Sequence, residues 1–235
     1  VKTYDTAGNI SKGTTVKVKP IAPEVPASTD PSTTPRIKKL STYTPAGLFS
    51  YQVYTYSDSQ IRIDSYDSSD NLTGYSITTG TSTSQTQIQY DVNDAITGST
   101  VSTFNSSGNT TEYVLKDSDG NTFLTLNYEY DSHNNTLKMT TTQGSVISIT
   151  DYSNEYDTAA KLTKVTVTNS GAYLTRSTYT YSENVTTINN EQYSSGTWVS
   201  SGKSITTYNS SGYIMEQEFL NTSDEMTSRT EYEYE

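Results

Sequence analysis

The chain has a single histidine, His133, and no cysteine. That excludes thiol nucleophiles, Cys-based metal sites and any zinc site needing several histidines. His133 lies in the run Asp131-Ser132-His133-Asn134-Asn135. As a general base it would need a nucleophile and an orienting partner. No G-x-S-x-G pattern supplies one, so the plain reading is an exposed turn residue. Asp117-Ser118-Asp119-Gly120-Asn121 sets oxygen ligands at alternate positions, as Ca2+ loops do, through Asp117, Asp119 and Asn121. It lacks the later bidentate Glu, and a β-turn reads better. Glu129 and Asp131 could be a glycosidase pair, but on polar faces and in turns they read as solvated charge. Tyrosine serves as acid or base in some polysaccharide lyases, yet those bind anionic sugar through positive clusters. This chain carries a net charge of −11. Trp198, the only tryptophan, interrupts a Tyr/Thr monotony close to Tyr193. Those two are the residues expected to touch a ligand, by stacking on a sugar ring. The sum is a non-enzymatic chain with no resident cofactor, Ca2+ being the one metal considered.

These residues sit in a regular frame. Turn-type clusters recur near Asp67, Gly80, Asp91, Asn105, Asp117, Asp131, Gly144, Asp157, Asn169, Ser182, Ser195, Asn209 and Asn221. The interval is about 12–14 residues, the spacing of a strand meander. Asn, Asp, Ser and Gly are favoured there because they tolerate left-handed backbone or bond their own main chain. Between turns the residues alternate. Leu124, Leu126, Tyr128 and Tyr130 share a face, opposite Thr125, Asn127 and Glu129. A Tyr-x-Tyr pair precedes a turn at Tyr54/Tyr56, Tyr128/Tyr130, Tyr179/Tyr181 and Tyr232/Tyr234. This predicts a structural tyrosine ladder, because a ladder repeats and a binding site is local. Two strands and two turns make a unit of about 26 residues. No sustained helical periodicity occurs.

The hydrophobic share is 31%, far below the roughly 45–50% of ordinary domains. The 21 tyrosines nonetheless separate the chain from disordered polar tracts. Tyr has an apolar body and a polar tip, so a thin core of Tyr and Thr is predicted. The acidic balance disfavours nucleic acid and anionic lipid. No apolar run approaches the roughly 20 residues of a spanning helix. A cysteine-free, Ser/Thr/Asn-rich, acidic composition suits an extracellular or cell-surface bacterial protein.

Three zones follow. Residues 1–19 read strand, turn, strand about Asp5-Thr6-Ala7-Gly8-Asn9. They resemble the last hairpin of a bacterial immunoglobulin-like or fibronectin-like module, left behind or exchanged as a tail. Residues 20–35 hold all but one of the prolines and read as an extended linker. Residues 36–235 form the repeat region. Tyr66-Asp67-Ser68-Ser69-Asp70-Asn71-Leu72 and Tyr130-Asp131-Ser132-His133-Asn134-Asn135-Thr136-Leu137 resemble the YD repeats of RHS-type surface and toxin-shell proteins. That resemblance implies a bacterial repeat β architecture at the cell surface, and no chemistry.

The expected fold is all-β: a long antiparallel meander of about 14–15 strands in a curled or twisted open sheet. Its two edges would be exposed. The expected function is a structural or adhesive surface protein (a stalk, adhesin segment or filament subunit) that self-associates, or joins a neighbouring surface protein, through sheet edges or the N-terminal tail. A carbohydrate-binding module of a secreted enzyme, with polysaccharide as partner, and an RHS-type shell fragment are the alternatives.

Overall fold

A computed structural model describes residues 35–235. The hairpin expected at 1–19 and the linker expected at 20–35 fall outside the described residues, apart from Pro35. The remainder is sixteen strands. The first eight are β1 (Ile37–Thr44), β2 (Gly47–Tyr56), β3 (Gln60–Asp67), β4 (Leu72–Gly80), β5 (Ser84–Tyr90), β6 (Ile96–Phe104), β7 (Thr110–Lys116) and β8 (Thr122–Tyr130). They are followed by β9 (Thr136–Gln143), β10 (Val146–Tyr156), β11 (Leu162–Asn169), β12 (Ala172–Ser182), β13 (Val185–Ser194), β14 (Thr197–Tyr208), β15 (Ile214–Leu220) and β16 (Met226–Tyr234). Every strand pairs antiparallel with its sequence neighbours, and β16 pairs with β1.

The sheet is therefore a closed up-and-down barrel. The open curled sheet expected from the sequence is corrected here. Its two end strands meet in register, Leu40 opposite Tyr232 and Thr42 opposite Thr230. The N–H of Glu235 donates to the carbonyl of Arg36 at 2.9 Å, finishing the seam. Closure pairs the N–H and C=O groups that an open sheet would leave on two edges. Assembly through those edges is thereby removed. The expected turn positions correspond to thirteen of the hairpin bends. The regular spacing omits the bend at Pro45-Ala46 and counts none at Ser57-Asp58-Ser59, although the Tyr54/Tyr56 pair marks a turn there; sixteen strands therefore stand where fewer were expected.

Eight bends share one design, beginning at Asp67, Asp91, Asn105, Asp117, Asp131, Asp157, Asn209 and Asn221. At Asp67, Oδ1 accepts from the N–H groups of Ser69 and Asn71 at 2.8 and 3.0 Å. The fourth residue is left-handed: Asp70, Asp94, Gly108, Gly120, Asn134, Ala160, Gly212 or Asp224. The strand register slips just before each of these bends, as between Ser65 and Tyr66 or Glu129 and Tyr130. That slip leaves a main-chain carbonyl off the ladder. In four bends a threonine hydroxyl satisfies it: Thr73 to Ser65, Thr111 to Thr103, Thr163 to Glu155 and Thr227 to Phe219.

The pleat sorts the residues into two faces. Ile61, Thr78, Thr100, Thr150, Tyr152, Val165, Asn190, Ser204 and Thr206 are buried and follow one another through the registers, so they mark the inner face. Charged residues of the ladders, from Lys39 and Arg62 to Glu231 and Glu233, point the other way; Asp67, at a strand end, belongs to its turn. A circular sheet of sixteen strands would be roughly 30 Å across. Two facing tyrosines cannot fill that width, which is why large apolar side chains are rarely fully buried.

Inner polar groups pair with each other instead. Gln87 donates to Ser76 at 3.1 Å, Ser177 to Asn190 at 2.8 Å and Asn169 to Ser148 at 2.8 Å. All four Tyr-x-Tyr pairs point inward. The second tyrosine of each donates its hydroxyl to the first carbonyl of the preceding strand. Tyr56 reaches Ile37 (3.0 Å), Tyr130 Thr110 (2.5 Å), Tyr181 Leu162 (2.8 Å) and Tyr234 Ile214 (2.8 Å).

Candidate functional site: an outer aromatic cluster

Tyr193 and Trp198 face each other across the two-residue bend Ser195-Gly196. Both bend residues are left-handed, with φ of 51° and 84°. This is the backbone of a type I′ hairpin, which matches the strand twist. The two rings meet edge to face, 5.0 Å between centroids. Tyr173, from the neighbouring hairpin, closes the group at 5.3 Å from Tyr193 and 5.7 Å from Trp198.

A charged pair supports the rings. The Arg176 guanidinium lies 4.7 Å from the Trp198 ring centroid, within cation–π range. Its Nε and Nη2 donate to the two oxygens of Glu191 at 2.6 and 2.7 Å. The bidentate hydrogen bonds hold the Glu191 carboxyl below its ordinary range and raise the Arg176 guanidinium further. The cluster is thus fixed from beneath, with Tyr173 exposed and Tyr193 and Trp198 half-buried. Mutually edge-on rings make a ridged aromatic knob, where a flat stacking platform would need coplanar rings.

The structure brings the two expected ligand residues, Trp198 and Tyr193, together. Sequence reasoning missed Tyr173, Arg176 and Glu191. Tyr173 and Arg176 come from β12, and Glu191 lies two residues before Tyr193 on β13; finding them together needed the β12–β13 register, Arg176 opposite Glu191.

The other candidates lie elsewhere. Asp117 spends Oδ1 on the N–H groups of Asp119 and Asn121 (3.0 and 2.8 Å) and Oδ2 on the Asn121 amide (3.1 Å). This is the shared turn design, present equally where Asn replaces Asp. Among the described residues no three His, Asp or Glu side chains gather as a metal site. Glu129 points outward to Lys138 at 3.1 Å, away from the Asp131 turn. His133 stacks on Tyr156, centroids 4.3 Å apart. Asp131 Oδ2 accepts from the Tyr156 hydroxyl and from Asn154 Nδ2 (2.8 Å). Its Oδ1 accepts from the N–H of His133 and Asn135, both at 2.9 Å. Oδ1 thus serves the turn and Oδ2 ties it to β10.

The fold and site define a sixteen-stranded antiparallel barrel with a polar exterior and an aromatic knob at one mouth. No family model matches the chain, and no curated protein matches it. Among solved structures it is similar to a porin-like protein from Bacteroides uniformis, at 13% identity over 85% of this chain and 98% of that one, TM-score 0.33. It is also similar to TcdB2-TccC3 without its hypervariable C-terminal region, at 13% identity over 79% of this chain and 11% of that one, TM-score 0.27. A protein from Bacteroides fragilis described as exported, with a YmcC-like fold, matches at 13% identity over 84% of this chain and 94% of that one, TM-score 0.27. At these scores the likenesses are distant.

Proposed function

We propose that the chain is a non-catalytic, water-exposed barrel module of an extracellular or cell-surface protein, acting as a rigid structural or adhesive unit. The observation that supports this reading is the sorting of charge. The strands place Lys39, Arg62, Asp64, Glu129, Lys138, Lys164, Glu191, Lys203 and Glu231 on the outer face. Ion pairs such as Arg62–Asp64 (2.8 Å) and Lys164–Glu155 (2.5 Å) lie there. A membrane-spanning barrel carries an apolar band about 25 Å tall on its lipid face. The charges on the outer face argue against such a band, although β4, β5 and β6 carry none, and the inner face, with Gln85, Gln87, Gln89 and Asn190, is more polar still. A closed sheet also fits a unit that must not polymerise through its edges. It argues against the RHS-shell alternative too, which needs a sheet free to continue.

The test is accessibility. The barrel of the natural protein should be cut by protease on intact cells. Protection of the barrel from protease on intact cells overturns the proposal. A second reading, carbohydrate binding, is supported by the convergence of Tyr173, Tyr193 and Trp198 beside Arg176. On a glycan array Trp198→Ala should then abolish binding; unchanged binding removes it.

A further inference from the structure

The two mouths of the barrel differ. The chain enters at Arg36 and leaves at Glu235, side by side at one mouth. At the opposite mouth three neighbouring hairpins, β9–β10, β11–β12 and β13–β14, end in short bends at Gly144-Ser145, Ser170-Gly171 and Ser195-Gly196. Their tips, residues 141–148, 168–175 and 192–200, contain no charged residue. Of the five other bends at this mouth, four carry Asp70, Asp94, Asp119 and Asp224; the fifth, Pro45-Ala46, is uncharged with Phe49 exposed beside it, but is separated from the three by the Asp224 bend. The uncharged tips also carry exposed apolar side chains: Val146 and Ile147 (both 66% exposed), Tyr173 (52%), Val199 (50%) and Leu174. Trp198 and Tyr193 stand among them.

We propose that these three tips form a lip that inserts into the interface of an uncharged lipid surface. Each tip is a two-residue bend, a shape that enters a fluid surface without needing a complementary groove. Apolar residues flanked by Trp and Tyr suit the water–lipid boundary, and missing charge removes the main cost of entry. The net charge of −11 sets the lipid class: an anionic leaflet repels the acidic sectors of this mouth, a zwitterionic one does not. A second copy would bring those acidic sectors face to face, so a copy is disfavoured as occupant. Arg36 and Glu235, where the described chain begins and ends, lie at the other mouth. The charged barrel wall stays in water, so this is docking, not spanning.

The test is flotation of the purified chain with phosphatidylcholine vesicles. The unmodified chain should float, and the emission of Trp198, its only tryptophan, should shift blue and be quenched by brominated lipid. Ile147→Asp with Leu174→Asp should lower partitioning at least tenfold with circular dichroism and melting unchanged. If that pair misfolds, Ile147→Ser with Leu174→Ser replaces it, with a severalfold loss expected. Val92→Asp, an exposed apolar position on the acidic side of the same mouth, should leave flotation intact. Failure to float, equal flotation of the lip variants, or equal loss in Val92→Asp overturns the lip. Self-association of the unmodified chain without flotation, abolished by the lip substitutions, overturns it in favour of a copy interface.

Discussion

The hydroxyl of Tyr156 donates to Oδ2 of Asp131, tying the end of β10 to the turn between β8 and β9. Asn135 Nδ2 donates to the same hydroxyl at 2.9 Å. Burial pushes the Asp131 carboxyl up, but the Tyr156 hydroxyl, the N–H groups of Asn135 and His133 and the Asn154 amide outweigh it and hold it below its ordinary value. A depressed carboxyl contributes stability that is complete above the unfolded value near ~3.9 and is lost as pH falls through the folded one. We therefore expect Asp131→Asn to lose stability at neutral pH and to melt with a flatter acid dependence than the unmodified chain. Tyr156→Phe should cost about 1 kcal/mol, since the group is partly solvated. Thermal melts across the acidic range check both; an identical acid slope in Asp131→Asn would sink the idea.

The inner tyrosines titrate on the alkaline side. Burial pushes Tyr54, Tyr56, Tyr128, Tyr179 and Tyr232 up to about 12. A raised folded value means that the stability is complete below the unfolded tyrosine value near ~10 and is lost as pH rises through about 12. The barrel should open cooperatively in that window. Tyrosinate absorbance and loss of β-sheet dichroism should rise together. Stepwise ionisation with the dichroism intact would show that these rings are wet.

The strand-end tyrosines allow a finer test. Tyr130 and Tyr234 each donate to a carbonyl at the start of the preceding strand. Tyr130→Phe and Tyr234→Phe keep the ring and remove only the donor. Each should cost about 1 kcal/mol, as for a half-buried carbonyl left without its partner. Chemical denaturation with an unchanged slope checks this, and Tyr66→Phe, on the outer face, is the control.

The turn spacing and face alternation were legible because both depend on local chemistry: Asx side chains bonding their own main chain, and the period of two along a strand. The Tyr-x-Tyr positions were legible for the same reason. Closure was not. It depends on Leu40 meeting Tyr232 across almost the whole described chain, and no residue type announces a partner that far away. Trp198 and Tyr193 were legible as a pair because one bend separates them. Arg176 and Glu191 were not, since each sits on its own strand and only register joins them. Lack of charge alone did not mark the tips, because residues 40–57 and 71–90 are equally free of Asp, Glu, Lys and Arg; their adjacency at one mouth is a property of the barrel.

Gly202 marks a place where backbone geometry excludes other residues. Its φ is +104°, and an added Cβ would come within 2.2 Å of the Leu220 carbonyl oxygen. The register slips opposite it, between Asn190 and Glu191. Gly202→Ala forces either the strand or its neighbour to move, and about 2–4 kcal/mol of destabilisation is expected. Thr197→Ala, exposed at the start of the same strand, should be near neutral. Equal melting of the two variants would mean that the bend relaxes.

The seam itself can be opened. Ending the chain after Glu225 removes β16 and leaves β1 and β15 each with an unpaired edge. Both edges then offer N–H and C=O rows to any free strand. If closure is what keeps this sheet from adding strands, the truncated chain should associate in proportion to its concentration, with β-sheet dichroism retained. A synthetic peptide of residues 226–235 added in excess should compete and restore a single-copy species. The competitor should fail when Tyr232 and Thr230, which face Leu40 and Thr42 across the seam, are replaced by proline. A truncated chain that stays monomeric and folded would show that the remaining fifteen strands close without β16.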